Sequence, residues 1–310
     1  MSGQTAPELP EAAVTVDVPA KINPHLGVGD ARPDGYHSLS TVYQAISLYD
    51  TVTVSHRAEP GITVTIAGEG ADSLPADETN LAAKAAKLMA LYGNVEPNAH
   101  VHLFKRIPVA GGLAGGSADA AGALVACARL WEISIGEAEL RKLAAGLGSD
   151  VPFCLVGGVA IGSGRGEELV RVDASGSWHW VVATTDTQIS TPECYDEVDR
   201  LRADGIGRFS QDVDAIVKAF ESGASADELS RLLVNDMEAA AVSLRPQLAS
   251  LMHAGLEEGA LAAHVSGSGP TILFLAGDAA HAVSLARRIR MRGGARSVHL
   301  AEGPVDGPAA

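Results

Sequence analysis

The run Pro108, Val109, Ala110, Gly111, Gly112, Leu113, Ala114, Gly115, Gly116, Ser117 and Ala118 passes without a linker into an alanine-rich stretch ending near Leu130. Glycines lack Cβ atoms, so the backbone can reach positive φ and its N–H groups can approach a ligand closely. A helix placed directly behind such a loop adds unpaired N–H groups and the positive end of its dipole. Together these make an anion site, and a phosphate-bearing ligand is the first expectation. Ser117 is positioned to cap the helix behind the loop.

Two familiar phosphate loops are excluded by spelling. A Walker loop ends in Gly-Lys-Ser/Thr, whereas Gly116 is followed by Ser117 and Ala118. A dinucleotide fingerprint needs glycines at relative positions one, three and six, which no glycine cluster here supplies.

Bulk properties narrow the class. With 310 residues, 46% of them hydrophobic, the chain is long enough for two cores. A net charge of −15 without a basic patch argues against a nucleic-acid partner, though not against a small anionic substrate bound in a cleft. Cys127, Cys154 and Cys194 are far apart and odd in number, which suits a reducing compartment and no disulfide framework. Met1 to Ala13 lacks the features of a signal peptide, and no apolar run reaches the length of a membrane span. The expectation is a cytoplasmic protein with no membrane partner and loose tails at Met1 to Ala13 and Gly303 to Ala310.

Hydrophobic periodicity gives the organisation. Val14, Val16 and Val18 alternate as a strand that Pro19 should close. Strands follow around Val52–Val54 and Ile62–Ile66, then a helix from about Thr79 to Gly93 and a strand at Val101–Leu103 feeding the glycine loop. Ser134 with Glu137 spells a capping box, and Pro152 marks a helix start after Asp150. Further along come a strand from Trp180 to Thr184, a helix capped at Thr191-Pro192, and helices between Val213 and Glu258. Strands near His264, Ile272–Leu275 and Ser297–Leu300 enclose a last helix, Ala279 to Met291. Strands and helices mix without strict alternation, so the class is α+β in two regions divided near Val172. No internal repeat is visible.

Candidate chemistry lies outside the loop. Lys21 follows the first strand and Asp150 sits in Gly148-Ser-Asp-Val-Pro152. Taken singly, a lysine is most often a surface charge and an Asp before a Pro a helix cap. Beside a phosphate loop they suggest more. Phosphorylating an alcohol requires a proton acceptor, and a nearby lysine would keep a carboxylate ionised and stabilise charge on the transferring group. Asp34-Gly-Tyr-His37 marks a turn carrying an aromatic ring and an imidazole.

Five segments in order resemble the GHMP kinase superfamily, which includes galactokinase and the homoserine, mevalonate and phosphomevalonate kinases. They are Pro19 to Val28, Arg32 to His37, Pro108 to Ala118, Gly148 to Phe153 and Gly267 to Thr271, spread over nearly the whole chain. The Lys-x-Asn opening and the Arg-x-Asp-Gly-Tyr-His segment are similar to the branch that phosphorylates a cytidine-diphosphate-linked methylerythritol in non-mevalonate isoprenoid synthesis, in its actinobacterial form. The Gly-Glu-His sugar motif of galactokinase is not met.

The resemblance implies a two-domain fold, residues 12–172 binding ATP and residues 173–303 forming a smaller α+β domain, with the substrate between them. It implies γ-phosphoryl transfer from ATP with Mg²⁺, Lys21 and Asp150 forming the catalytic pair and Asn23 orienting them. Pro108 to Ala118 would hold ATP, with the Ser117 hydroxyl near phosphate or metal. Tyr36 would stack on the cytosine, His37 would bond its edge, and Tyr195 would close its other face. The family loop commonly carries Ser-Ser; Ala118 leaves this chain one loop hydroxyl. The alternatives are another small-alcohol kinase of the superfamily, or a non-catalytic ligand sensor on the same fold.

Overall fold

The computed structural model describes residues 13–33, 35–109, 111–206 and 210–308. Asp34, Ala110 and the segment before Ala13 lie outside the described residues.

The chain opens with two long antiparallel strands, β1 (Ala13–Ala31) and β2 (His37–His56). Then follow β3 (Ile62–Gly68), α1 (Leu81–Gly93), β4 (Ala99–Lys105), α2 (Gly115–Leu130), α3 (Glu137–Leu147), α4 (Val151–Val156), β5 (Val159–Ser163) and β6 (Glu168–Val172). The remainder comprises β7 (Trp178–Thr184), α5 (Thr191–Ala203), α6 (Asp214–Ser222), α7 (Ala226–Ser230), β8 (Val234–Asn235), α8 (Glu238–Leu244), α9 (Gln247–Glu257), β9 (Ala262–Val265), β10 (Ile272–Ala276), α10 (Ala279–Arg292) and β11 (Ser297–Gly303). Among the described residues these strands form a seven-stranded sheet, β3-β4-β2-β1-β8 with β5 paired to β2 and β6 to β5, and a four-stranded sheet, β11-β7-β10-β9. The architecture is α+β.

The two sheets are packed together rather than strung apart. One apolar cluster joins Val16, Val52 and Leu103 of the first sheet, the alanines of α2, and Trp180, Leu273 and Leu275 of the second. Trp180 also donates its indole N–H to Gln44 Oε1 at 2.9 Å. Helix α2 is buried on nearly every face from Ala118 to Ala128, as an all-apolar helix must be. Its Gly122 permits the approach: a Cβ there would sit 2.6 Å from Val52 and 2.8 Å from Val18.

Several expectations need correction. Pro19 does not end β1; the pairing with β2 shifts register between Pro19 and Ala20 and continues to Ala31. The outer half alternates because one face is wet, whereas Ala20 to Val28 is buried on both faces and loses that signature. Ser117 does not cap α2. Ala114 does, in a left-handed conformation, and Ser117 lies in the first turn. The Ser134–Glu137 capping box is not formed, because α3 starts from Gly136 and Glu137 is its first residue. Ser190, rather than Thr191, caps α5 in a capping box with Glu193. The C-terminal tail is not loose throughout: Asp306 bridges Gly157, and the Val305 carbonyl accepts the Gly158 N–H at 2.7 Å.

Candidate active site

The register shift in β1 decides where the site forms. Past it, Ala20 and Ile22 enter the core, and the alternate residues Lys21 and Asn23 face the other way, into a cavity of about 870 Å³. Lys21 is only 6% exposed. Its ammonium donates to Asn23 Oδ1 at 2.8 Å, Asn23 donates to Thr41 Oγ1 at 2.8 Å, and Thr41 donates to the His25 carbonyl at 2.6 Å. That chain of donors ties the lysine to both long strands. Asp150, at the start of α4, brings Oδ2 to 3.6 Å from Lys21 Nζ. Two residues more than a hundred positions apart in sequence are thus neighbours on the cavity floor.

The floor is backed by buried polar groups. The Tyr43 phenol donates to Asp150 Oδ1 at 3.3 Å, and the Tyr43 ring stacks on Phe153 of α4. Burial, reinforced by the Asp150 charge, raises the Tyr43 phenol well above its ordinary range, so it stays protonated. His264 donates from Nε2 to the Asn23 carbonyl at 3.1 Å, and burial lowers its pKa.

The glycine loop separates two cavities. Gly111, Gly112, Ala114, Gly115, Gly116 and Ser117 line the larger one. Pro108, Val109, Gly115 and Gly116 line a second, of about 270 Å³. Leu113 and Ala118 line neither; both are buried anchors, and the Leu113 carbonyl accepts the Lys21 N–H at 3.2 Å. Gly112 has a φ of +73°, and a Cβ there would lie 2.0 Å from the Ser266 carbonyl oxygen. Only glycine fits.

Beneath the loop, Lys105 lies between Asp50 and Asp119, all three buried, and also donates to the Gly115 carbonyl at 3.2 Å. Asp50 accepts two further donors, the N–H groups of Arg106 at 2.6 Å and Ile107 at 2.8 Å. Burial pushes Asp119 up to about 7, with the Lys105 charge opposing. Two buried carboxylates share one ammonium here, and Asp50 has the two backbone N–H donors besides it.

The mouth of the larger cavity is built from β2 and α5. His37 Nε2 lies 3.0 and 3.1 Å from the two oxygens of Asp199; a carboxylate only accepts, so the proton sits on that nitrogen. The Tyr195 ring stacks on the His37 imidazole, centroids 4.8 Å apart and planes 13° off parallel. Burial, then the Asp150 charge, pushes the Tyr195 phenol up to about 12. Tyr36 is 53% exposed and lies under the Arg165 guanidinium, 5.1 Å from its ring centroid. Tyr36, His37 and Tyr195 all line the cavity, with Tyr195 resting on the imidazole.

Comparison with known proteins places this geometry. Residues 80–158 match the GHMP kinases N terminal domain and residues 216–293 the GHMP kinases C terminal domain. The 4-diphosphocytidyl-2-C-methyl-D-erythritol kinase of Mycolicibacterium smegmatis is 50% identical over 98% of this chain and 95% of its own length. That of Mycobacterium tuberculosis is 49% identical over 96% and 93%. The chain belongs to this kinase family. A crystal structure of a 4-(cytidine 5'-diphospho)-2C-methyl-D-erythritol kinase superposes with a TM-score of 0.76 at 31% identity, covering 94% of this chain and all of the other. A homoserine kinase from Cytophaga hutchinsonii shares the fold at a TM-score of 0.74 and 17% identity.

Sequence reasoning did not find Tyr43, Thr41, Arg165, Asp199 or the Lys105 cluster. Some of the signal was present. His37, Thr41 and Tyr43 fall on one face of a period-two strand, and Asp199 lies four residues after Tyr195 on a helix. Lys105 had no local signal, because Asp50 and Asp119 come from distant segments, and nothing local linked Arg165 to Tyr36.

Proposed function

We propose that this kinase transfers the γ-phosphoryl group of ATP to the 2-hydroxyl of 4-diphosphocytidyl-2-C-methyl-D-erythritol. The observation that carries the reading is the pairing of buried Lys21 with Asp150, 3.6 Å apart, on the floor of a cavity walled by the glycine loop. Asp150, one-third exposed, accepts the hydroxyl proton as the acceptor oxygen bonds to the γ-phosphorus. The bond from that phosphorus to the ADP oxygen breaks, and ADP leaves. Lys21 compensates charge on the transferring group, held on target by Asn23.

In this reading the loop from Pro108 to Ala118 cradles the phosphates on backbone N–H groups and the first turn of α2. The smaller cavity takes the nucleoside of ATP. Residues 12–172 hold ATP, and residues 173–303 close the acceptor side. Tyr36, His37 and Tyr195 take the cytidine end, whose planar, polar base matches a ring face and an imidazole edge. The net charge of −15 gives no reason to invoke nucleic acid, and three free, buried cysteines suit the cytoplasm.

Magnesium accompanies the ATP. Among the described residues no cluster of three or more His, Cys, Asp or Glu could cage a metal, so ATP phosphates would supply most ligands. The Ser117 hydroxyl and the Asp150 carboxylate both line the cavity and would offer hard oxygen donors to such an ion. When bound, the ion neutralises phosphate charge.

The test is to incubate protein, ATP, Mg²⁺ and the cytidyl substrate and follow ³¹P resonances. A new phosphomonoester on the tertiary C2 oxygen is expected, with ADP in equal amount. Phosphorylation of another hydroxyl, or ADP without a phosphorylated acceptor, would reject the reading.

A further inference from the structure

Asp150 has two carboxylate oxygens, and the structure gives each its own neighbour. Oδ2 faces Lys21 at 3.6 Å, too long for a hydrogen bond. Oδ1 accepts from the Tyr43 phenol at 3.3 Å. The phenol is held from several sides. The Tyr43 ring is 2% exposed and stacks on Phe153, centroids 4.8 Å apart, in the helix that begins immediately after Asp150.

Two glycines make room for it. A Cβ on Gly162 would lie 2.6 Å from the Tyr43 ring, and one on Gly166, where φ is +103°, 2.2 Å from the phenol oxygen. Backbone pairing of Tyr43 with Ala160 sets the height of the side chain within the sheet. The ring is therefore locked at both ends, and so is the direction of its O–H.

We propose that Tyr43 is a positioning residue for the phosphoryl-transfer step: its phenol fixes Oδ1 of Asp150, so that Oδ2 is presented toward Lys21 and the attacking hydroxyl. This rests on the reading of Asp150 as the base. A partly exposed carboxylate at a helix start rotates freely about its terminal torsion unless something holds one oxygen. Lys21, already committed to Asn23, does not hold it by a hydrogen bond. Tyr43 does, with a group that remains a donor at every working pH because burial keeps it protonated. Proper orientation of a reacting group affects turnover and leaves substrate affinity largely alone.

The experiment is a double-mutant cycle of Tyr43→Phe and Asp150→Asn, with kcat and KM measured for both substrates. Y43F keeps the ring on Phe153 and removes one oxygen. It is expected to lower kcat on the order of 5–30-fold, with both KM values within about twofold of wild type. In the D150N background, where no base remains to be aimed, Y43F should cost less than about twofold more. Equal fractional losses in both backgrounds would show that Tyr43 acts independently of Asp150 and overturn the proposal. A Y43F enzyme with wild-type kcat would do the same.

Phe153→Leu separates packing from the hydrogen bond should Y43F melt early. It loosens the stack but leaves the phenol, so Tm should fall while kcat stays within about threefold. A kcat loss matching that of Y43F would assign the effect to packing and reject the proposal. If wild-type protein does not turn over the cytidyl substrate, or D150N turns over normally, the functional reading fails first, and that failure is visible separately.

Discussion

The floor and the mouth of the large cavity are built on different terms. On the floor, Lys21 and Asn23 are 6% and 2% exposed, project from paired strands, and are cross-tied through Thr41 to the His25 carbonyl. At the mouth, Tyr36 is 53% exposed and Asp199 has 46% of its side chain in solvent. Phosphoryl transfer depends on positioning and fixed charge, and Lys21 and Asn23 are locked accordingly in a dry, hydrogen-bonded frame. Recognition of a planar base needs an accessible ring face and a polar edge; the mouth offers the exposed Tyr36 ring and, more deeply set, the His37 imidazole. The difference implies separable failures: floor variants should lose turnover, mouth variants affinity for one substrate.

The sharpest way to break that division is Asp150→Asn. It should cut kcat on the order of 10²–10⁴-fold while both KM values stay within about threefold, measured by coupled ADP release. A loss confined to KM would put Asp150 in binding and dissolve the comparison. Next in size is Gly112→Ala, at the loop between the two cavities. A positive φ and a carbonyl 2.0 Å from the new Cβ should cost about 2–4 kcal/mol in urea unfolding.

Smaller, and confined to the mouth, is His37→Ala. The KM for the cytidyl substrate should rise on the order of 10–100-fold with that for ATP unchanged. Asp199→Asn, which weakens the partner that holds the imidazole, should give a milder version of the same selectivity. Equal effects on both substrates would make the stack structural.

The smallest effect concerns the floor's pH sensitivity. Burial lowers the pKa of His264, so the unfolded chain takes up a proton below about 6.5 that the folded one resists. Its stabilising contribution is present above that pH and lost on acidification. Asp119, raised to about 7 by burial, acts oppositely, contributing more as pH falls below 7. The difference in Tm between wild type and His264→Gln isolates the histidine and should shrink by a few degrees between pH 7.5 and 5.5. A constant difference would mean that His264 does not titrate between the folded and unfolded states.

Much of this was legible in the chain. The glycine loop, the alanine helix behind it and the Lys-x-Asn and Asp-Gly-Tyr-His segments carried the family and pointed to the floor and mouth. What escaped reading shares one physical cause. The inner half of β1 is buried on both faces, so the alternation that revealed Val14, Val16 and Val18 vanished where Lys21 and Asn23 begin to matter. Tyr43 reads as one more core aromatic until α4 brings Asp150 to its hydroxyl. Lys105 looks like a strand-end surface charge until Asp50 and Asp119 close around it. Side-chain partners drawn from three separate segments leave no local pattern.

The most direct measurement is ADP release by purified protein with ATP and Mg²⁺, comparing 4-diphosphocytidyl-2-C-methyl-D-erythritol with mevalonate, homoserine and galactose. Turnover with the cytidyl substrate alone is the predicted result. Turnover with one of the other alcohols, or none with any acceptor from protein that still binds ATP, would contradict it.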